Sequence, residues 1–102
     1  MTLPPSEEYY TELERRLRAL DGLVERLVQD ICPWYREYLD VGEYGLAVEI
    51  VAERLSADMP TELVRPLARG LLAEAERMSL EEAVVVQLQQ LVDALRARDE
   101  IM

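Results

Sequence analysis

The chain of 102 residues contains no histidine, no lysine and no asparagine, and it has a single cysteine. Histidine is the side chain that most often transfers protons near neutral pH, so Ser–His and Cys–His nucleophile pairs, histidine-bearing zinc sites and Glu-x-x-His di-iron sites are excluded. The lone Cys32 cannot form an internal disulfide, and its place among apolar residues predicts a small buried side chain. We therefore expect a binding protein rather than an enzyme, with no catalytic residue, metal ligand or cofactor.

Long apolar runs are also missing, because no stretch approaches the ~20 residues that a helix needs to cross a bilayer. The first eight residues lack the basic and apolar regions of a signal peptide. We expect a cytoplasmic protein that does not bind membranes. The length fits one domain, so residues 1–102 are predicted to form a single helical domain, with residues 1–5 as a flexible N-terminus and residues 99–102 as a frayed C-terminus.

Apolar residues recur at helical spacing along the first part of the chain. Steps of four and three residues join Leu13, Leu17, Leu20, Val24, Leu27, Ile31, Trp34 and Tyr38. Ser6 is a suitable N-cap. Asp21-Gly22 could interrupt the helix, but the continuous stripe favours one helix that ends near Ile31, because Pro33 disfavours helical geometry in the residue before it.

Four further helices follow from local start and stop residues. The second begins at Pro33 or Trp34 and stops at Gly42, which suits a left-handed helix end. The third runs to about Leu55 and buries Leu46 and Ile50. After the loop at residues 56–60, Thr61 is predicted to cap the fourth helix.

The last helix is predicted to open with a capping box formed by Ser79 and Glu82. The sequence therefore predicts an all-α, compact single-domain bundle of about five helices.

Carboxylates are the plentiful reactive groups, so a magnesium-dependent hydrolase is the one enzymatic alternative. The chain contains no Glu-x-x-Glu pair, and its nearest approaches are Glu37 with Asp40 and Glu49 with Glu53. Oxygen ligands suit Mg²⁺, yet no set of four acids converges by spacing alone. Solvated helix faces explain these acids better.

The acidic charge is strong and uneven. Twenty-one acidic residues against eleven arginines give a net charge of −10, which disfavours nucleic acid and favours a basic protein as partner. Residues 31–62 hold seven acids and two arginines, a net charge of −5, together with four of the six aromatic residues. Tyrosine and tryptophan anchor protein interfaces, and carboxylates steer the encounter.

Candidate partner-binding residues lie in this acidic middle third. Trp34 and Tyr38 are interpreted as a continuation of the core stripe, whereas Tyr35 and Tyr44 lie off it. The candidates are Tyr35, Glu37, Asp40, Glu43, Tyr44, Glu49 and Glu53.

The segment Tyr38-Leu39-Asp40-Val41-Gly42-Glu43-Tyr44-Gly45-Leu46-Ala47-Val48-Glu49 resembles the MafI-type immunity proteins of bacterial polymorphic-toxin systems. In that family a short helix ends at a Gly-Glu element, and the next helix begins with Gly-Leu-Ala followed by a Glu. The resemblance covers residues 23–57. It implies a small helical protein that binds and neutralises a cognate toxin domain, often a nuclease, inside the producing cell.

The leading hypothesis is therefore an immunity protein that blocks a basic toxin domain by stoichiometric binding. The alternative is a self-associating structural or regulatory module. In that case the stripe from Leu13 to Tyr38 would be the seam of a homodimer instead of the core of a monomer.

Overall fold

A computed structural model describes the backbone of residues 7–101 and the side chains of residues 7–98. Over this range it contains α-helices and a short 3₁₀ turn and no strand, which confirms the predicted all-α bundle. The elements are α1 (Glu7–Ala19), α2 (Asp21–Leu27), the 3₁₀ turn (Gln29–Ile31), α3 (Cys32–Asp40), α4 (Tyr44–Ala52), α5 (Thr61–Arg77) and α6 (Glu82–Ile101).

Helix α5 lies at the centre of the bundle, where it packs against α1, α2, α4 and α6. Its apolar residues recur every three or four positions, so the stripe that they form is buried by these neighbours. The buried apolar residues of α5 are Val64, Leu67, Ala68, Leu71, Leu72 and Ala75. Helix α3 packs on the outside of this arrangement, against α1, α2 and α4.

The prediction of one continuous helix up to Ile31 is wrong, because the helix breaks at Leu20 and again at Val28. The Leu20 side chain packs onto Gly70 of α5 so closely that a Cβ built on Gly70 would lie 2.9 Å from it. This fit depends on a residue 50 positions away, so local spacing could not predict the break. Leu13, Leu17, Val24 and Ile31 of the stripe are buried within the single chain.

Two helices end with the same left-handed motif. At the end of α3, Gly42 has φ 78°, and the N–H of Glu43 donates to the Tyr38 carbonyl at 2.8 Å, which confirms the predicted stop. At the end of α5, Ser79 has φ 54°, and the N–H of Leu80 donates to the Ala75 carbonyl at 3.0 Å. Ser79 therefore ends α5 and does not begin α6, so the predicted capping box is wrong.

Other helix boundaries also differ from the predictions. Pro60 occupies the N-cap position of α5, and no side chain caps this helix, so Thr61 is not its cap. Helix α4 ends at Ala52 instead of near Leu55. Ser6 and residues 1–5 lie outside the described residues, as does Met102. The backbone is helical to Ile101, and the fraying of residues 99–102 stays a prediction.

Helix α4 is apolar almost all round, and its buried side is formed by small residues. Ala47, Val48, Val51 and Ala52 are buried, whereas Leu46 is 44% exposed. The prediction that Leu46 is buried is therefore wrong. Short side chains let α4 approach α3 and α5 closely, and the larger Leu46 is left on the outer side.

Candidate protein-docking site

The two neighbouring aromatic residues of α3 have exchanged the positions predicted for them. Tyr35 is fully buried and its hydroxyl donates to the Leu17 carbonyl, whereas Trp34 is 55% exposed. Burial is the main cause that raises the pKa of the Tyr35 phenol. Tyr35 is therefore a core residue and is not available to a partner. The stripe stays buried at Val24 and Ile31, beyond the break at Leu20, and it leaves the core after the 3₁₀ turn, where Trp34 is exposed.

One flank of α3 faces α1 and α2 and is rich in ion pairs. Arg36 binds both carboxylate oxygens of Asp21, at 2.8 and 2.7 Å. Arg18 binds Asp40 at 2.7 Å and Glu14 at 2.9 Å. The hydrogen bond from Arg36 is the main cause that lowers the pKa of Asp21. Asp40 was predicted to bind a partner, but here its charge is already compensated by an arginine of the same chain.

Cys32 lies near this flank and is buried, as predicted. Burial is also the main cause that raises the pKa of its thiol, so the thiolate that would react or bind a metal is disfavoured.

The sides of α3 and α4 that face away from the core are joined by the turn between the two helices. Trp34, Glu37 and Val41 recur at steps of three and four along α3 and its C-cap residue. Leu46, Glu49 and Glu53 recur at the same steps along α4 and its C-cap residue, so each set lies on one side of its helix. Glu43 lies in the turn between the two helices. We name this surface the hairpin face, and it consists of Trp34, Glu37, Val41, Glu43, Leu46, Glu49 and Glu53.

Three apolar side chains of the hairpin face are open to solvent. Trp34 is 55% exposed, Val41 65% and Leu46 44%. Over the part of the chain that the structure describes, the other large exposed hydrophobic residues are Tyr10 and Val86. The hairpin face therefore carries most of the large apolar surface that the fold leaves uncovered.

The four glutamates of the hairpin face differ from the acids on the other flank, because none of them forms an ion pair with a residue in the range 7–98. Between residues 32 and 53 the one basic residue is Arg36, which is held on the opposite flank. Arg54 follows directly and pairs with Asp30 at 2.8 Å. The negative charge of the hairpin face is thus not compensated within the described part of the chain.

A groove of about 330 Å³ borders the hairpin face between α4 and the start of α6. Glu49 and Glu53 line it from α4, and Glu81 lines it from the other side. Gln87 also lines it and donates to the Ala52 carbonyl at 3.2 Å. No local pattern in the sequence points to Glu81, since its approach to α4 depends on how α6 packs. The groove extends the acidic surface onto a third element.

Tyr44, at the start of α4, lies beside two tyrosines that the sequence analysis did not select. Its hydroxyl donates to Glu14 Oε1 at 2.8 Å, and this hydrogen bond is the main cause that raises the pKa of the Tyr44 phenol. The Tyr44 ring lies 6.3 Å from the ring of Tyr10, and Tyr9 is next to Tyr10. Because α1 carries Tyr9 and Tyr10, only the tertiary fold reveals this cluster.

Within residues 7–98, no group of three acidic or cysteine side chains is placed to hold a metal ion. Of the helices that the structure describes, none is both long enough and apolar enough to cross a membrane.

Comparison of the chain with protein-family models, with curated proteins and with solved structures finds no match. The resemblance to MafI-type immunity proteins therefore stays a prediction.

Proposed function

We propose that this chain is a cytoplasmic immunity protein of the MafI type, which binds a cognate toxin domain with a basic surface and so blocks it. The hairpin face is the docking surface in this proposal. The observation that carries it is the coincidence, on one surface, of uncompensated carboxylates with exposed apolar side chains, whereas the acids on the other flank of α3 are paired with arginines.

The charge of the hairpin face supports a basic partner. No arginine among the described residues forms an ion pair with the glutamates of the hairpin face, which are Glu37, Glu43, Glu49 and Glu53. The electrostatic field of these carboxylates therefore extends into solvent. Such a field raises the association rate with a positively charged protein and is screened by salt. A nuclease domain presents positive charge where it binds the phosphates of its substrate. A carboxylate-rich face can occupy that surface in place of the polyanion.

A stable complex also needs apolar side chains that become buried in the interface, and the hairpin face supplies them. Energetic centres of interfaces are enriched in tryptophan, tyrosine and arginine, and they are surrounded by residues that exclude water. Trp34 is the single tryptophan of the chain, and the fold leaves it exposed. Trp34, Val41 and Leu46 are therefore the anchors in this proposal, and the glutamates form the charged rim.

Self-association is the second candidate, because exposed apolar residues can also pair two copies of one chain. A symmetric dimer brings the same surface together from both copies. The hairpin face would then oppose four uncompensated glutamates with the same four, which is unfavourable. Leu13, Leu17, Val24 and Ile31 of the stripe are buried within one chain, which argues against the stripe as the seam of a dimer. Charge thus favours a basic partner over a second copy.

The test is inhibition and binding with the C-terminal domain of the protein encoded immediately upstream. We expect a complex of one copy of each chain, loss of the toxin domain's activity in that complex, and an association rate that falls as salt rises. Light scattering of this chain alone should give a monomer. A stable homodimer together with an unaffected toxin domain would contradict the proposal and support self-association.

A further inference from the structure

A pocket of about 330 Å³ lies at the corner of the bundle where α1 begins and α3 turns into α4. Its volume is at the small end of the range for ligand sites. We name it the tyrosine pocket, and the residues that matter for its chemistry are Tyr9, Tyr10, Gly42, Glu43, Tyr44 and Gly45. It adjoins the hairpin face through Glu43.

Three aromatic rings meet at the tyrosine pocket. The rings of Tyr9 and Tyr10 lie edge to face, with 5.3 Å between their centroids and 81° between their planes. The ring of Tyr44 lies 6.3 Å from that of Tyr10, with 27° between the planes. Tyr10 is 45% exposed, although a ring of this size usually gains by burial. The fold thus groups three aromatic rings beside a concave surface and leaves part of Tyr10 accessible to a ligand.

The charge around these rings is negative. Glu43 lines the pocket, and none of the residues described for its lining is basic. An adjoining depression, which shares Tyr10 and Tyr44, is lined by Glu7 and by Glu14, and Arg18 already compensates Glu14 at 2.9 Å. Helices α3 and α5 end at the pocket, whereas α1 and α4 begin there, so the helix dipoles offset one another. Glu43 and Glu7 therefore make the local field negative.

Aromatic faces combined with carboxylates are the chemistry that binds organic cations. A guanidinium group is planar, so it can stack on a ring and still direct its N–H groups at a carboxylate. A compact ammonium ion is more strongly hydrated and stacks less well. Among the cations that a protein can present, the arginine side chain fits this pocket best.

We propose that the tyrosine pocket binds an arginine side chain of the basic partner, with the guanidinium stacked on Tyr10 and its charge facing Glu43. This inference rests on the proposed function, since it supplies one specific contact within that complex. It assigns Tyr10, which is far from the hairpin face in sequence, to the same interaction surface.

The test is an NMR titration of the free chain, labelled with ¹³C in the tyrosine rings. The probe is N-acetyl-arginine-N-methylamide, and the control probe is the corresponding citrulline derivative, which is isosteric and uncharged. We expect the arginine probe to shift the ring signals of Tyr10 and Tyr44 and to bind about five- to tenfold more tightly than the citrulline probe. Equal affinity for the two probes would overturn the inference.

Two variants of Tyr10 separate the ring from the hydroxyl. Tyr10→Phe keeps the aromatic face and should bind the arginine probe as the natural chain does. Tyr10→Leu keeps an apolar side chain but loses the face, and should bind it about two- to fivefold more weakly. Circular dichroism of both variants verifies that they fold. If Tyr10→Leu binds the arginine probe as well as Tyr10→Phe does, the ring makes no contribution and the inference is wrong.

The titration contains no toxin domain, so its outcome is independent of the proposed function. A chain that neutralises its partner but ignores the arginine probe would overturn this inference alone. A chain that binds the probe but no basic partner would overturn the proposed function alone.

Discussion

Both flanks of α3 carry acidic residues, but only one flank pairs its acid with an arginine among the described residues. On the flank that faces α1 and α2, Arg36 and Arg18 compensate Asp21 and Asp40 at distances of 2.7 Å. On the opposite flank, Trp34 and Val41 are exposed, and Glu37 has no arginine partner among the described residues. The first flank joins elements of the fold, and the second belongs to the surface that we propose as the docking site.

This difference explains why the net charge of −10 is a poor guide to function by itself. Surface ion pairs contribute little to stability on average, yet each one removes an acid from the field that a partner experiences. Subtracting the paired acids leaves four uncompensated glutamates on the hairpin face and one at the neighbouring Glu81. The other described acids without an ion pair lie elsewhere on the surface, at Glu7, Glu8, Asp58, Glu62, Glu76, Glu82 and Asp93. The location of arginines, more than the number of acids, defines the candidate site.

The largest expected effect separates the two adjacent aromatic residues of α3. Tyr35→Ala should lower the free energy of unfolding by about 3–5 kcal/mol, because it opens a cavity in the core. Trp34→Ala should change it by no more than about 0.5 kcal/mol, as an exposed residue does. Urea unfolding followed by circular dichroism measures both. Equal destabilisation by the two substitutions would contradict the placement of Tyr35 in the core and of Trp34 on the surface.

Charge reversal on the hairpin face should have the next largest effect. The double variant Glu43→Arg, Glu49→Arg should associate with the toxin domain about tenfold more slowly at low salt, since the steering field is weakened. Stopped-flow or surface-based kinetics at several salt concentrations measures the rate.

The matched control is Glu8→Arg, Glu76→Arg, which makes the same change in net charge at exposed positions on α1 and α5. This control should slow association much less. If both double variants slowed association equally, the net charge of the chain, and not the hairpin face, would steer the encounter.

The smallest effect on stability is expected for the ion pairs on the flank of α3 that faces α1 and α2. Arg36→Gln removes the partner of Asp21 and should destabilise the chain less than Tyr35→Ala does. Because the pKa of folded Asp21 is lowered below the ordinary value of 3.8, the stabilisation is present above that value and is lost as the pH falls through the folded pKa. The unfolding midpoints of the natural chain and the variant should therefore differ at pH 7 and converge under acid conditions.

Arg26→Gln provides the control for this prediction. Arg26 is exposed on α2 and has no ion-pair partner among the described side chains. It should shift the unfolding midpoint less than Arg36→Gln at neutral pH. The unfolding midpoints of Arg36→Gln and of the natural chain are then compared in acid. If they differ there as much as at neutral pH, the effect does not come from the Asp21 carboxylate.

Local residues made the helical class and several boundaries predictable. Pro33 lies in the first turn of α3, and Gly42 ends that helix, because both residues act through their own backbone geometry. Glu37, Glu43, Glu49 and Glu53 follow from the charge distribution along the sequence, but so does Asp40. The fold alone separates them, because Asp40 pairs with Arg18 of α1.

Several errors arise from packing between residues distant in sequence, whereas the wrong caps at Thr61 and Ser79 are errors of local backbone geometry. The contact of Leu20 with Gly70 accompanies the first helix break, and Tyr35 instead of Trp34 lies in the core. Glu81 and Glu49 line one groove because α6 packs beside α4. The tyrosine pocket likewise needs α1 beside the α3–α4 turn, so no local pattern in the sequence reveals it.

The central claim is that the hairpin face docks onto a basic protein, and Trp34 reports on it directly because it is the one tryptophan in the chain. The decisive measurement is the ¹⁹F NMR spectrum of this chain labelled with 5-fluorotryptophan, before and after addition of the unlabelled toxin domain. The proposal predicts that the single resonance shifts and becomes shielded from a paramagnetic agent in solution. A complex that forms while this resonance stays unshifted and equally accessible would contradict it.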